Sequence, residues 1–118
     1  MNKTEILGLK KEAEIHLLTE LLPFWTSRMR DDVNGGFLTH FDQYGKDTGE
    51  DEKSLIAQTR CIYTIASAHR AGYGDGKLAE LAKHGIDFLI GKMWDKRHGG
   101  FFWMMNRKGE VKIDQKII

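Results

Sequence analysis

One motif occurs twice in this chain, and its spacing limits the folds available. Val33-Asn34-Gly35-Gly36-Phe37-Leu38-Thr39 is matched 64 residues further on by Arg97-His98-Gly99-Gly100-Phe101-Phe102-Trp103, and Gly45 is matched by Gly109 at the same interval. Lys116-Ile117-Ile118 then stands near the place that Lys53-Ser54-Leu55 holds in the first copy. The repeating unit is a helix, a Gly-Gly-Phe loop and a second helix. Units of this kind cannot bury their apolar faces alone and need about three copies. The second copy breaks off at Ile118, where its loop should enter the next helix. The expectation is a fragment of a longer protein or a truncated gene product, with residues 1–118 a single N-terminal piece.

The helices follow from apolar periodicity. Ile6, Leu9, Ala13, Leu17 and Leu21 recur at helical spacing and predict a first helix over Lys3–Ser27, with Leu18, Leu22 and Trp25 widening its stripe. Pro23 should kink or restart it, because the ring removes a backbone donor. A turn-rich stretch follows, with a short strand at Phe37–Phe41 and a further turn at Tyr44-Gly45-Lys46, together a small hairpin or irregular loop. A second helix spans about Glu52–Arg70, with Leu55, Ile56, Ile62, Tyr63 and Ala66 as its expected buried side. The glycines of Gly72-Tyr73-Gly74-Asp75-Gly76 suit a left-handed cap and a helix–helix connection. They make no phosphate loop, since no strand precedes them and no Gly-Lys-Ser/Thr completes them. A third helix runs to about Lys92 on the stripe Leu78, Leu81, Ala82, Ile86, Leu89 and Met93, with Lys77, Glu80, Lys83, His84 and Asp87 on its wet side.

Arg60 is the odd residue of the second helix. Its helical neighbours are Ile56, Ala57, Tyr63 and Thr64, none of them acidic. A guanidinium so placed either snorkels to water or meets an anion from elsewhere. A structural carboxylate and a bound ligand both fit the residues.

Composition excludes several classes. The chain has 118 residues, 41% hydrophobic and 30% charged, with a net charge of +1. That balance suits one ordinary globular domain and gives no reason to expect nucleic acid or an anionic membrane as partner. No apolar run approaches the length of a membrane span, roughly 18 residues. The charged N-terminus lacks a signal-peptide core, and one cysteine builds no disulfide framework. A cytoplasmic location is expected. Cys61 reads as a small buried thiol. His40 and Asp42 form His-x-Asp, but no further ligand stands at suitable spacing, so no metal site is expected. Phe37, Phe41 and Phe101 read as plugs at helix ends. Trp103 is equally suited to plugging and to stacking on a sugar ring.

Taken in order, LLPFW, D-x-x-x-GGF, QTR within an apolar helix and W-D-x-x-x-GGFFW resemble the N-acylglucosamine 2-epimerase and cellobiose 2-epimerase superfamily. The resemblance covers almost the whole chain, but only the opening part of such a protein. It implies an all-α fold, the N-terminal part of an (α/α)6 barrel or helical toroid, with short β-hairpin-like loops. It implies chemistry beside a sugar carbonyl without cofactor or metal: a base takes the C2 proton, an enediolate forms, and a proton returns to the other face. Histidines suit that exchange, and a fixed arginine suits the oxyanion. Arg60 matches the arginine of the family's QTR-type motif, with Tyr63 and Trp103 as candidate substrate contacts. The family's two catalytic histidines lie on later helices, and its active-site tyrosine stands at the start of the fourth helix. None of His16, His40, His69, His84 or His98 matches those histidines, so this piece alone is expected to be inactive. Its exposed stripes predict self-association or a homodimer.

Alternatives stay open at this point. An aldose–ketose isomerase needs the same groups with the second proton delivered elsewhere. A glycoside hydrolase of toroid architecture wants two carboxylates, and the available pairs, Asp31/Asp32 and Asp51/Glu52, read as solvated acids at helix ends. A non-catalytic helical module that binds carbohydrate or a protein partner is the reading from a different class.

Overall fold

In a computed structural model, which describes residues 1–116, the chain forms four α-helices and a three-stranded antiparallel sheet. The pairing of Ile117 and Ile118 with the first copy lies outside the described residues.

α1 covers Lys3–His16 and opens on a capping box. Asn2 Oδ1 accepts from Glu5 N at 2.9 Å, and Glu5 Oε2 accepts from Asn2 N at 3.0 Å. A turn of π-helix over Leu17–Leu21 then joins α1 to α2, Leu22–Arg28, with Pro23 in the first turn of α2. Proline cannot donate to the carbonyl four residues back and its ring presses on it. The chain widens there, with Leu22 N donating to Leu17 O five residues back, and continues as helix. This is the restart expected at Pro23. The α1 stripe is uncovered: Ile6 and Leu9 are both about half exposed.

β1, Lys53–Ser54, leads into α3, Leu55–Arg70, with Ser54 Oγ capping Ala57 N at 3.1 Å. Gly72, at φ +91°, follows the last turn and lets the chain reverse into α4, Lys77–Phe88. A second π turn, Leu89–Met93, closes α4. β2, Met104–Met105, and β3, Val111–Ile113, complete the sheet in the order β1-β2-β3. Lys53 faces Met105 and Ser54 faces Met104, while Met104 and Met105 pair with Ile113 and Val111 across a bulge. The strand expected at Phe37–Phe41 is reduced to two isolated bridges, Arg30 with Phe37 and Phe41 with Asp47, and the sheet forms instead between β1 and the hairpin of the second loop, joining the two units.

The repeat is geometrical as well as sequential. Asp31 N donates to Gly36 O at 3.1 Å, and Asp95 N to Gly100 O at 2.8 Å. Leu38 N meets Met29 O, as Phe102 N meets Met93 O. Asp31 Oδ1 accepts from Val33 N and Asn34 N, and Asp95 Oδ1 from Arg97 N and His98 N, all between 2.9 and 3.0 Å. Lys53 Nζ donates to Asp31 Oδ2 at 2.6 Å and to Gly35 O at 2.7 Å; Lys116 Nζ donates to Asp95 Oδ2 and Gly99 O at those same distances. Each copy is therefore a tight loop closed by its aspartate and pinned by a lysine from the segment after it.

The core lies in two clusters. One joins Met29, Phe37, Ile65, Ala68, Leu78, Leu81 and Ala82; the other joins Phe88, Met93 and Met105. The buried face of α3 is Gln58, Ile65 and Ala68; of the expected side, Leu55 and Ile62 are half-buried against the core, while Ile56, Tyr63 and Ala66 are exposed. Tyr63 is 75% exposed. The helix is turned this way because Gln58 clamps the loop: its Oε1 accepts from Phe37 N at 2.9 Å and its Nε2 donates to Phe37 O at 2.8 Å. His84 also leaves the wet side of α4, with Nε2 2.9 Å from Gly36 O. Asp31, expected to be solvated, is buried against Lys53.

Candidate functional site

Residues of α2, of the π turn before it and of α3 line a groove of about 470 Å³. Leu17, Leu21 and Trp25 form one wall, and Ile56, Arg60 and Thr64 of α3 form the other, with Thr39 and Ser54 at the loop end. The groove is mostly apolar, and Arg60 is its one charged residue. Trp25 is held edge-on against Phe24 and Phe41, with ring centroids 5.2 and 5.6 Å away.

The local sequence explains why Arg60 faces this space. Gln58 turns towards the loop, and Arg60, two positions on and about 200° further round the helix, points to the opposite flank. Arg60 is exposed and has no ion-pair or hydrogen-bond partner among the described residues. The other arginines with named partners show the contrast. Arg30 meets Asp32 at 2.7 Å, Arg28 lies over the Phe24 ring, and Arg107 grips Asp47 with both terminal nitrogens. A free guanidinium beside apolar walls offers a fork of donors to an oxyanion. Cys61 shares the groove, but burial pushes its thiol pKa up, which keeps it protonated and inert.

Tyr63 and Trp103 do not line this groove. Tyr63 stands on α3 facing water. Trp103 precedes β2, its backbone joined to Leu55 N and Gln115 O. Trp25, Thr39 and Thr64 line the groove with Arg60 instead. Thr64 was visible in the sequence as its i+4 neighbour; Trp25 and Thr39 come from other elements, and no local pattern announces them.

No histidine lines the groove among the described residues. His16 pairs with Glu20 at 2.9 Å and His40 with Glu50 at 3.2 Å. His40, Glu50 and Glu52 bring three potential ligand atoms within 4.8 Å of one another, the one such group among the described residues. Glu52 also pairs with Lys112 at 3.6 Å, and Glu50 and Glu52 stand exposed at the surface. Asp42, the partner suggested by His-x-Asp, instead accepts from Tyr44 N and Lys46 N and shapes the turn.

No helix among the described residues is long and apolar enough to cross a membrane.

Comparison with known proteins agrees with the loop-and-helix frame. Residues 35–117 match the family described as N-acylglucosamine 2-epimerase (GlcNAc 2-epimerase). A cellobiose 2-epimerase of Bacteroides fragilis is 35% identical over 116 residues, covering 93% of this chain and 28% of that protein. A mannose-6-phosphate isomerase of Rhizobium meliloti is 29% identical over 90 residues, 76% of this chain and 22% of the relative. The solved cellobiose 2-epimerase from Bacillus thermoamylovorans superposes with a TM-score of 0.83 at 28% identity, over 92% of this chain and 28% of that one. The chain thus spans between 22% and 28% of the length of these relatives, which are carbohydrate epimerases and isomerases. With its Gly-Gly-Phe loops inside the matched region and its helices superposing on a solved relative, this chain belongs to the N-acylglucosamine 2-epimerase family.

Proposed function

We propose that this chain is the N-terminal portion of an (α/α)6-barrel sugar 2-epimerase and that Arg60 stabilises the enediolate. The observation that carries the reading is the unpartnered guanidinium in a partly apolar groove, in a family of carbohydrate epimerases. In the reaction, a base removes the proton from C2 of the open-chain aldose. The C–H electrons form the C1–C2 double bond, and the carbonyl pair moves to O1 as an oxyanion. Arg60 holds that oxygen with charge-assisted hydrogen bonds, which strengthen as charge develops. A proton returned to the opposite face of C2 gives the epimer.

Residues 1–118 serve as binding wall and oxyanion donor, and the proton-transfer groups come from elsewhere in the barrel. By themselves they are expected to turn over nothing, since no histidine lines the groove among the described residues. The hydrolase reading loses ground because no carboxylate lines the groove among the described residues, and Asp31 is committed to Lys53. The substrate is a small sugar, and no cofactor enters the scheme.

The test is the full-length polypeptide incubated in D2O with glucose, mannose, cellobiose and N-acetylglucosamine, followed by NMR. The expected result is a C2 epimer carrying deuterium at C2. Arg60→Ala should lower kcat/KM about a hundredfold or more, and Arg60→Lys should recover part of it by charge without the fork. A fully active Arg60→Ala enzyme overturns the role given to Arg60. Sugar binding without turnover favours the non-catalytic module.

A further inference from the structure

Arg60 and Thr64 lie four residues apart on α3 and both face the groove. Four hydroxyl side chains line that space: Thr26, Thr39, Ser54 and Thr64. Three have a partner within the protein. Thr26 Oγ1 donates to Leu22 O at 2.7 Å, Ser54 Oγ accepts from Ala57 N at 3.1 Å, and Thr39 Oγ1 lies 3.4 Å from His40 Nδ1. Thr64 differs. Helical threonines commonly turn the hydroxyl back onto the carbonyl four residues earlier, as Thr19, Thr26 and Thr59 do here. The Thr64 hydroxyl has no hydrogen-bond partner among the described residues and stands exposed beside the one free cation of the groove.

We infer that Thr64 is a substrate-binding residue that sets which sugar hydroxyl the site demands. The inference rests on the reading of Arg60 as the oxyanion donor. An i,i+4 pair has its Cβ atoms about 6 Å apart, the reach of a few carbons of an extended polyol. An open-chain sugar lying along α3 with O1 on Arg60 therefore presents a hydroxyl further down its chain to Thr64. The threonine hydroxyl both donates and accepts, as a sugar hydroxyl does, and its methyl group meets the C–H edge. A sugar lacking that hydroxyl loses the bond, which discriminates between analogues.

The experiment compares wild type, Thr64→Val, Thr64→Ser and Thr59→Val in the full-length polypeptide. Each is assayed on the epimerised sugar and on its monodeoxy analogues. Thr64→Val keeps the shape and removes the hydroxyl; it should raise KM about tenfold, the worth of one neutral hydrogen bond, with kcat within about twofold. Thr64→Ser should restore KM. Thr59→Val, whose hydroxyl is spent on Leu55 O outside the groove, should behave as wild type. For one monodeoxy analogue, wild type and Thr64→Val should become equal, closing a double-mutant cycle. An active wild type with Thr64→Val indistinguishable from it, or with the same loss on every analogue, overturns the role of Thr64 alone. A wild type that turns over no sugar overturns the epimerase reading and this inference with it.

Discussion

Lys53 and Asp31 form an ion pair shut away from water, with Nζ 2.6 Å from Oδ2 and side-chain exposures of 1% and 7%. Burial works against the charge on both groups. On Asp31 the Lys53 bond and the amides of Asn34 and Val33 outweigh it, so the carboxyl pKa still falls; on Lys53 burial prevails and the ammonium pKa is lowered. All three Lys53 protons are used, the third on Arg107 O at 3.0 Å. Lysine here ties the first loop to the second unit.

Removing the lysine should therefore be costly. Lys53→Met leaves a buried carboxylate without a counter-charge, and about 3 kcal/mol of stability should go. Urea unfolding should show a lower midpoint at unchanged slope. Lys116→Met removes the matching ammonium, but Lys116 is one-third exposed. Water can replace it there, so the loss should be smaller. Equal losses in the two variants would contradict this account of the burial.

Acid should unfold the protein through its loop aspartates. The Lys116 hydrogen bond and the amides of His98 and Arg97 hold Asp95 at a pKa of about 2, and the pKa values of Asp31 and Asp47 are lowered as well. A depressed folded pKa means that the unfolded state binds more protons as the pH drops. The stability is present above the unfolded carboxyl value, about 3.9, and is lost as the pH falls through the folded value. The steep part of the curve should lie between about pH 4 and pH 2. Asp95→Asn should be less stable than wild type at pH 6, with the gap closing towards pH 2. A gap independent of pH would show that Asp95 acts through packing alone.

Gln58 offers a sharper test of polar burial. It is fully buried and answers both the N–H and the C=O of Phe37. Gln58→Leu keeps the volume and orphans both groups, at about 1–3 kcal/mol for each. Gln58→Glu keeps the acceptor, but its second oxygen meets the Phe37 carbonyl unless it is protonated. The pKa of the introduced carboxyl should rise, because burial and the facing carbonyl both oppose its charge. A raised folded pKa gives stability that is lost as the pH climbs, so the variant should be more stable at pH 5 than at pH 8 while wild type stays level. Hydrogen exchange at the Phe37 amide should accelerate in both variants.

These contacts also show what the sequence could disclose. The repeated loops were legible because Gly-Gly before an aromatic marks a turn that few other residues can make. The helices were legible from their stripes, and Pro23 from its missing donor. The rotation of α3 was not, because apolar periodicity pointed to Ile56, Tyr63 and Ala66 as well as to Leu55 and Ile62, which do pack on the core, while the position that decides the matter, Gln58, is polar. The pairing of Asp31 with Lys53 spans 22 residues and the tie from Lys53 to Arg107 spans 54. No helical or strand period carries such pairs. Arg60 stood out early for lacking a local partner. Trp25 and Thr39, which line the groove with it, come from other elements, and only tertiary packing brings them there.

The closeness of α3 to α4 gives the last prediction. Gly85 lies in α4 where a β-carbon would stand 2.5 Å from Phe37 Cε2 and 2.7 Å from Ile62 Cγ1. Alanine is the better helix former by about 1 kcal/mol, so on propensity alone Gly85→Ala would stabilise. Packing opposes this: the Phe37 ring is fully buried and its backbone is clamped by Gln58, so it cannot step aside. Overpacking costs about 1–3 kcal/mol, and the variant should be net destabilised. Gly91 provides the control. It sits in the second π turn with nothing within 4 Å of a β-carbon, so Gly91→Ala should be neutral or stabilising by up to about 1 kcal/mol. Thermal and urea unfolding of the two variants should move in opposite directions. A stabilised Gly85→Ala would mean that the Phe37 wedge between the helices is looser than its burial implies.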